Sequence, residues 1–208
     1  MKLRILGWEP GPSIRLDHRE FAYAGKFVRP SGKAIVQAED ATLDLPDPKD
    51  GAATGIEAVV AFDEDRVDEA LWLRYVSVRS GRRAEGLGAR LCAFVCERAT
   101  ERGYDTLRIA VNNPYAFEAL YKAGFGFTGR ETGLAELVLE RPPPTARSER
   151  RYRAGLDRFE DRTLQADERQ FIDAREGVPG LGTGHVEGTD GARSCLRGRG
   201  FSAVGGVH

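Results

Sequence analysis

The sequence predicts an α/β domain on one mixed sheet, with antiparallel strands first, a parallel pair joined by a crossover, and flanking helices. Apolar, β-type runs of strand length recur along the chain, as at 55–62 and 71–78. An amphipathic stretch at 87–102 separates the second run from another at 106–111. Parallel neighbours need a crossover of a dozen or more residues, so this stretch predicts a helix that joins a parallel pair.

Strands and turns are predicted for the part of the chain before residue 55. Weak alternation favours an edge strand at 3–6, and aromatic residues on alternating positions predict a strand at 21–28. A turn with proline and glycine then leads into a strand at 33–37. No stretch between 10 and 55 has the periodicity of a helix.

The later elements follow the crossover in order. The helix at 87–102 ends at Gly103, as glycine-capped helices do. A strand at 106–111, a helix at 113–123 and a last strand at 134–139 complete the predicted domain.

Three consecutive prolines, 142–144, divide the chain into a domain over 1–141 and an extension over 142–208. Apolar residues at helical spacing predict one or two helices of the extension that dock weakly on the domain. These residues are Tyr152, Leu156 and Phe159. Glycine dominates from 177 to the end without periodicity, which predicts a mobile segment.

Composition argues against several classes of partner. The formal net charge is −1, and the extension contains 11 arginines and 10 acidic residues, so its charge is nearly balanced. We therefore expect no membrane partner and consider a nucleic-acid partner unlikely. No run approaches the roughly 18 apolar residues of a membrane span, and no signal-peptide stretch follows the first residues. Three cysteines do not make a disulfide framework, so a reducing, cytoplasmic location is expected.

The most informative segment is a glycine-and-arginine loop that follows the strand at 71–78 and opens directly into a helix. The first amides of a helix lack intrahelical partners and carry the positive end of its dipole, so such a loop can hold phosphate. Its glycines let an anion approach the backbone. The residues predicted to hold a diphosphate are Arg83, Ala84, Glu85, Gly86, Leu87, Gly88, Ala89 and Arg90.

Specific residues exclude two common phosphate loops. A Walker loop needs Lys-Ser/Thr after its last glycine, where this chain has Ala89 and Arg90. A dinucleotide-binding loop needs a third glycine where Leu91 stands. It also needs an acid at the end of the next strand, whereas Asp105 precedes that strand.

Two blocks of sequence carry a resemblance to a known family. The blocks are Arg83-x-x-Gly86-x-Gly88, and Asn113-x-x-Ala116 followed by Gly124-Phe125. They resemble the acyl-CoA motifs of the GNAT (Gcn-related N-acetyltransferase) superfamily, over about 58–140. The resemblance implies a GNAT-like mixed sheet in which acyl-CoA enters between two splayed middle strands, with acetyl-CoA as co-substrate. The family usually has two helices between its first strands, and this chain departs from it there.

The resemblance also assigns residues to the cofactor. The strand before the loop would bond the pantetheine arm through the backbone of Val76, Ser77 and Val78, and an amide there would serve the oxyanion. Asn113 matches the asparagine that contacts the cofactor. It can equally cap the following helix, with Pro114 at the first helical position.

Two residues are candidates for acid and base. Tyr121 is the candidate acid for the leaving thiolate. The family's tyrosine falls seven residues after the asparagine, where Leu120 stands, so Tyr121 is turned by about 100° or packs elsewhere. Glu57 is the candidate base, because Arg108 occupies the position of a glutamate in some relatives. Arg74 and Arg108 either face an acceptor that bears a carboxylate or pair with surface acids.

The sequence predicts no metal site. Cys92 and Cys96 are one turn apart on the crossover helix, but a metal would need two further ligands, so they are interpreted as core residues.

We therefore expect an N-acetyltransferase that moves an acetyl group from acetyl-CoA to a primary amine by direct attack in a ternary complex. The acceptor is open between a small amine and a protein N-terminus or lysine, and a homodimer is compatible with the sequence. The alternative is a non-catalytic acyl-CoA-binding or interaction module with the same fold.

Overall fold

Seven strands form one mixed sheet in the computed structural model, which describes residues 1–65 and 70–182. The strands are β1 (Lys2–Gly7), β2 (Gly32–Gln37), β3 (Ile56–Asp65), β4 (Ala70–Val78), β5 (Leu107–Val111), β6 (Gly126–Glu131) and β7 (Leu137–Arg141). The α-helices are α1 (Leu87–Glu101), α2 (Pro114–Lys122), α3 (Glu149–Glu160) and α4 (Ala166–Asp173). Across the sheet the order is β1-β2-β3-β4-β5-β7-β6, and only β4 and β5 are parallel among these described neighbours.

This topology confirms the predicted fold class, because antiparallel strands come first and α1 crosses over between the parallel strands β4 and β5. The apolar stripe of α1 explains the crossover, since Leu91, Val95 and Ala99 are fully buried in the core that the helix shares with the sheet. Gly103 adopts the left-handed conformation (φ 93°) after the end of α1, which lets the chain turn towards β5.

Residues 21–28 do not form the predicted strand. The chain instead forms a 3-10 helix, Ala24–Val28, because Tyr23 adopts a left-handed backbone conformation (φ 58°) that an extended run cannot contain. The alternating aromatic residues have different surroundings: Phe21 and Phe27 are buried, whereas Tyr23 is 51% exposed. Between residues 10 and 55, all of which are described, there is no α-helix, as expected.

The sequence pattern does not predict β6, and the last strand begins later than expected, at Leu137. Gly126 and Gly129 weaken the β-type signal of β6, since glycine has no side chain to pack. The pairing of β6 with β7 is interrupted between Phe127 and Glu131. β7 then lies between β5 and β6, so the end of the domain contributes an internal strand.

Apolar layers cover both faces of the sheet. On one face, α1, α2 and α3 share a core with the strands. On the other face, the chain before β2 places Ile14, Leu16, Phe21 and Phe27 in a cluster with residues of β2 and β3. The second face is therefore covered by the chain before β2, which contains no α-helix.

The extension contributes to the same core as the sheet. α3 buries Tyr152, Leu156 and Phe159 completely, and the ring centroid of Tyr152 lies 4.8 Å from that of Tyr121. The contact is extensive rather than weak, because large apolar side chains of α3 interlock with α2. The division at 141 stays a prediction. From 183 onward, the segment predicted to be mobile lies outside the described residues.

Within 1–65 and 70–182, no helix has the length and apolar character needed to cross a membrane. In the same ranges, no group of three or more His, Cys, Asp or Glu side chains could hold a metal ion. Cys92 and Cys96 are free and buried in the core, and burial raises the pKa of both thiols, so they stay protonated.

Lys33 is a buried ammonium group that should make the stability of the fold depend on pH. Its side chain is fully buried, and Nζ donates to the carbonyl oxygens of Arg29 and Ser31 at 2.6 and 3.0 Å. Burial lowers the pKa of Lys33 from 10.5 to about 8. Between these values only the unfolded chain binds the proton, so a rise in pH favours the folded state.

We expect the free energy of unfolding to rise by up to about 3 kcal/mol from pH 8 to 10.5, relative to Lys33→Met. Chemical denaturation at a series of pH values measures this, and subtraction of the variant removes the contribution of other titrating groups. A difference between the two proteins that does not change with pH would contradict the expectation.

Gly155 on α3 should be required for the docking of the extension. A Cβ atom there would lie 2.2 Å from Cζ of the buried Phe117 ring. Gly155→Ala should therefore lower the free energy of unfolding by about 1–3 kcal/mol. Gly177→Ala is the control, because nothing lies within 4 Å of its new Cβ, and it should stay within about 0.5 kcal/mol. Equal stabilities of the two variants in urea denaturation would show that this packing is incorrect.

Candidate active site

A gap opens between β4 and β5 in the middle of the sheet. Their parallel pairing ends at Leu73 and Ile109, although β4 continues to Val78 and β5 to Val111. The two strands therefore separate towards their carboxyl ends, which is the arrangement that the resemblance implies.

A β-bulge at Arg74 accounts for the separation. On the other side of β4, Leu73 pairs with Phe62 of β3 while Tyr75 pairs with the adjacent Ala61, so Arg74 is an extra residue in the ladder. A bulge bends its strand and increases the local twist. Because it comes directly after the last β4–β5 pair, the bend directs the rest of β4 away from β5.

The edge of β4 that faces the gap presents the amides of Val76 and Val78. The Arg79 amide donates to the carbonyl oxygen of Glu57 on β3 at 2.9 Å, and amide directions alternate along a strand. The amide of Ser77 therefore points to β3, like that of Arg79, whereas those of Val76 and Val78 point the other way. Two of the three residues expected to hold a pantetheine arm thus direct their backbone groups into the gap.

The loop after β4 ends in an open helix N-terminus. Gly86 caps α1 in the left-handed conformation (φ 76°), and no side chain of the described residues caps this helix. The first bond of the helix runs from the Arg90 amide to the Gly86 carbonyl oxygen, at 3.0 Å. The amides of Leu87, Gly88 and Ala89 come before that bond, and we call these three amides the phosphate cradle.

The surroundings of the phosphate cradle fit a diphosphate. A Cβ atom on Gly88 would lie 3.4 Å from Cγ2 of Val78, so glycine lets the start of α1 lie close to β4. Nε of Arg90 is buried and has no hydrogen-bond partner among the described residues. A phosphate oxygen is the type of acceptor that this donor and the cradle amides lack. The exposed residues of the loop are Ser80, Gly81, Arg83, Ala84, Glu85 and Gly86.

Ion pairs beside the phosphate cradle hold Glu57, the candidate base. Arg82 donates to both carboxylate oxygens of Glu85 at 2.8–3.0 Å and lies 3.3 Å from Glu57. Arg79 pairs with Glu20 at 3.0 Å and lies 3.8 Å from Glu57. Glu57 is only 8% exposed, and two guanidinium groups lie within 4 Å of its carboxylate.

Sequence reasoning did not single out Arg79, Arg82 or Glu20. The two arginines flank Gly81 in the loop, and their position in this loop could have marked them as site residues. Glu20 lies 59 positions before Arg79, and only the fold brings the two together.

Asn113 caps α2 at the end of β5. Its Oδ1 accepts the amide of Ala116 at 2.9 Å, and Pro114 occupies the first helical position. Its Nδ2 donates to Oδ1 of Asn112 at 3.1 Å. The structure therefore gives Asn113 the capping role, and its contact with a cofactor stays a prediction.

Tyr121 lies in the aromatic core between α2 and the extension. Its side chain is fully buried, and its hydroxyl accepts the amide of Phe127 at 3.0 Å. The rings of Phe117 and Tyr152 lie 4.9 and 4.8 Å away, centroid to centroid, and burial raises the pKa of Tyr121. Tyr121, one residue after the position of the family's tyrosine, thus packs in the core. Its role as the acid stays a prediction.

Arg74 and Arg108 both pair with acids. Nε of Arg74 donates to Asp63 at 2.6 Å, and Nε of Arg108 donates to Glu140 at 2.8 Å. Arg130 also pairs with Glu140. Arg74 thus pairs with a partly exposed acid, as the surface-acid alternative expects, whereas Arg108 pairs with an acid, Glu140, that is buried.

Comparison with known proteins identifies a family. The model of the acetyltransferase (GNAT) family matches residues 14–127, which is more than half of the chain. No match to a curated protein sequence was found.

Several solved structures are similar in part. Nourseothricin acetyltransferase is 21% identical, over 52% of this chain and 63% of that one, with a TM-score of 0.38. The PaiA N-acetyltransferase from Thermoplasma acidophilum, in complex with coenzyme A, is 14% identical over 52% and 58%, with a TM-score of 0.40. An aminoglycoside 6'-N-acetyltransferase complexed with coenzyme A is 11% identical over 52% and 71%, with a TM-score of 0.41. This chain thus spans less than two thirds of the length of the first two of these proteins.

Arg82 should control the charge beside the phosphate cradle. Its hydrogen bonds hold the pKa of Glu85 below the ordinary value. In Arg82→Gln we expect the pKa of Glu85 to rise towards that value, measured by NMR titration of the carboxylate. Arg98→Gln is the control, because Arg98 pairs with Glu101 at the far end of α1. A pKa of Glu85 that is the same in both variants would contradict this assignment.

Proposed function

Because the chain belongs to the acetyltransferase (GNAT) family, we propose that it transfers an acetyl group from acetyl-CoA to a primary amine by direct attack in a ternary complex. The acceptor is a small amine, or the N-terminus or a lysine of a protein.

One observation carries this proposal: the phosphate cradle and the open end of the gap lie at the same end of the sheet. β4 and β5 are parallel, and the carboxyl end of β4 leads into the cradle while that of β5 leads into the Asn113 cap. Ligands of open α/β sheets bind outside the carboxyl ends of the strands. The diphosphate would lie on the cradle, with Arg83 and Arg90 adding charge.

The backbone of β4 would orient the transferred group. The pantetheine arm would follow the edge of β4, where Val76 and Val78 direct their amides into the gap. When bound, acetyl-CoA supplies the activated acetyl group. An amide fixed at this edge would donate to the carbonyl oxygen as negative charge develops there, at no cost of reorganisation.

The acceptor amine must lose a proton before it attacks. An ordinary lysine amine has a pKa of about 10.4, so deprotonation at pH 7 costs about 4–5 kcal/mol, which a base or a desolvating site must offset. We keep Glu57 as the proposed base, since it lies on β3 and its carboxylate is 3.3 Å from Arg82, in the loop that leads into the phosphate cradle. Tyr121 is kept as the proposed acid, although its hydroxyl already bonds the Phe127 amide.

A non-catalytic acyl-CoA-binding or interaction module is the second candidate. The engagement of Glu57 with two arginines and the complete burial of Tyr121 favour it. Such a module would bind coenzyme A on the same cradle without transferring the acetyl group.

Two variants at Gly86 test the phosphate cradle. Gly86→Glu and Gly86→Gln share the strain of a side chain at φ 76°, and a Cβ atom there has nothing within 4 Å, so they differ mainly in charge. We expect Gly86→Glu to bind coenzyme A at least about tenfold more weakly than Gly86→Gln in calorimetry, because its carboxylate would repel the diphosphate. Equal affinities of the two variants would count against the cradle.

Thiol release from acetyl-CoA over a panel of amines then separates the two functions. Release by the wild type that is lost in Gly86→Glu supports the transferase. Tight binding of coenzyme A without release on any amine favours the module, and a wild type that does not bind coenzyme A contradicts both.

A further inference from the structure

Arg162, just beyond α3, joins two turns that are distant in sequence. Its guanidinium donates to the carbonyl oxygen of Asn112 at 3.3 Å and also to that of Ala135. The guanidinium carbon lies 4.7 Å from the ring centroid of Phe159, and Phe159 is fully buried in α3. The extension therefore reaches both turns through one side chain that is itself fixed against a buried ring.

The sheet register places both turns beside the open end of the gap. β5 and β7 are antiparallel and pair Val111 with Leu137, so the turn that follows Val111 lies next to the turn that precedes Leu137. The first turn contains Asn112, and the second, at 132–136, contains Ala135. β4 is parallel to β5, so this is also the end at which β4 leads into the phosphate cradle.

Each turn has hydrogen bonds of its own, including one from the Thr132 amide to the carbonyl oxygen of Glu136 at 2.9 Å, and Arg162 adds to them from outside the turns. Ala135 adopts a left-handed backbone conformation (φ 59°), which is strained for a residue with a side chain. Its amide donates to the carbonyl oxygen of Thr132 at 2.9 Å within the turn. In the other turn, Asn112 holds the side chain of Asn113, which caps α2. Fixing the carbonyl oxygen of Asn112 therefore also fixes the cap.

A second contact from the extension supports the same region. The hydroxyl of Tyr115, in the first turn of α2, donates to Asp167 of α4 at 2.9 Å, and its ring lies 4.5 Å from that of Phe171. α2 thus begins between a cap held through Arg162 and a ring covered by α4.

We propose that Arg162 is a positioning residue for acetyl transfer. This proposal rests on the function proposed above. By donating to two carbonyl oxygens, it sets the separation between the turn at Asn112 and the turn at 132–136. The turn at Asn112 forms the β5 side of the open end of the gap, opposite Val76 and Val78, and the turn at 132–136 lies behind it, at the start of β7. Arg162 should therefore affect the placement of an acceptor amine more than the binding of coenzyme A, which depends mainly on the phosphate cradle and the edge of β4.

Arg162→Met tests this, because methionine keeps an apolar stem on Phe159 but has no donor. Arg162→Lys keeps the charge and can reach one carbonyl oxygen. Arg153→Met is the matched control, since Arg153 lies on α3 and forms ion pairs with Asp157 and Glu160 of the same helix.

The first measurement is amide hydrogen exchange of the full chain without any ligand. We expect the amides of Ala116 and Ala135 to exchange about tenfold faster in Arg162→Met, as the loss of hydrogen bonds from a charged donor implies, with an intermediate change in Arg162→Lys. Arg153→Met should leave both amides unchanged. Unchanged exchange in Arg162→Met, or the same increase in the control, would overturn the proposal.

The second measurement is steady-state kinetics with an amine that the wild type acetylates. We expect kcat/KM for the amine to fall about tenfold in Arg162→Met while the affinity for coenzyme A changes less than about twofold, with partial recovery in Arg162→Lys. A parallel loss of coenzyme A affinity, or no loss of kcat/KM, would overturn the positioning role. A wild type that acetylates no amine would refute the function proposed above, and the exchange measurement would still decide whether Arg162 holds the two turns.

Discussion

The extra residue at Arg74 is the constraint on which the candidate site depends. A regular ladder would keep β4 beside β5 along its whole length and would occupy every backbone group between them. The bulge instead ends the pairing at Leu73 and leaves Val76 and Val78 with amides that face the gap. One inserted residue therefore provides both the space between the strands and the polar edge that borders it.

The chemistry at this end of the sheet comes more from the backbone than from side chains. The phosphate cradle consists of amides, and the edge of β4 consists of amides, so both are fixed by secondary structure before any ligand binds. The nearby charged side chains largely neutralise one another, as Arg82 does with Glu85 and Arg79 with Glu20. Electrostatic attraction for an anion then rests on the helix dipole, on Arg83 and on Arg90, whose buried Nε lacks a partner within the described residues.

Local sequence patterns were sufficient where structure is local. The apolar stripe of α1 and the glycine loop in front of it predict the crossover and the helix N-terminus without a side-chain cap, because helix burial and helix N-terminal amides depend only on neighbouring residues. Alternation failed at 21–28, since it carries no information about the left-handed backbone of Tyr23. The ion pairs of Glu57 and the contacts of Arg162 join segments far apart in sequence, and no local pattern encodes them.

The family match ends at residue 127, but the hydrophobic core does not. β7 lies between β5 and β6, and α3 covers Phe117 and Tyr121 with its own aromatic rings. A recombinant fragment cut at the family boundary would lack an interior strand and would present these rings to water. Such a fragment would aggregate. A shorter version of the protein therefore has to end after α4, and a fusion partner has to be joined there.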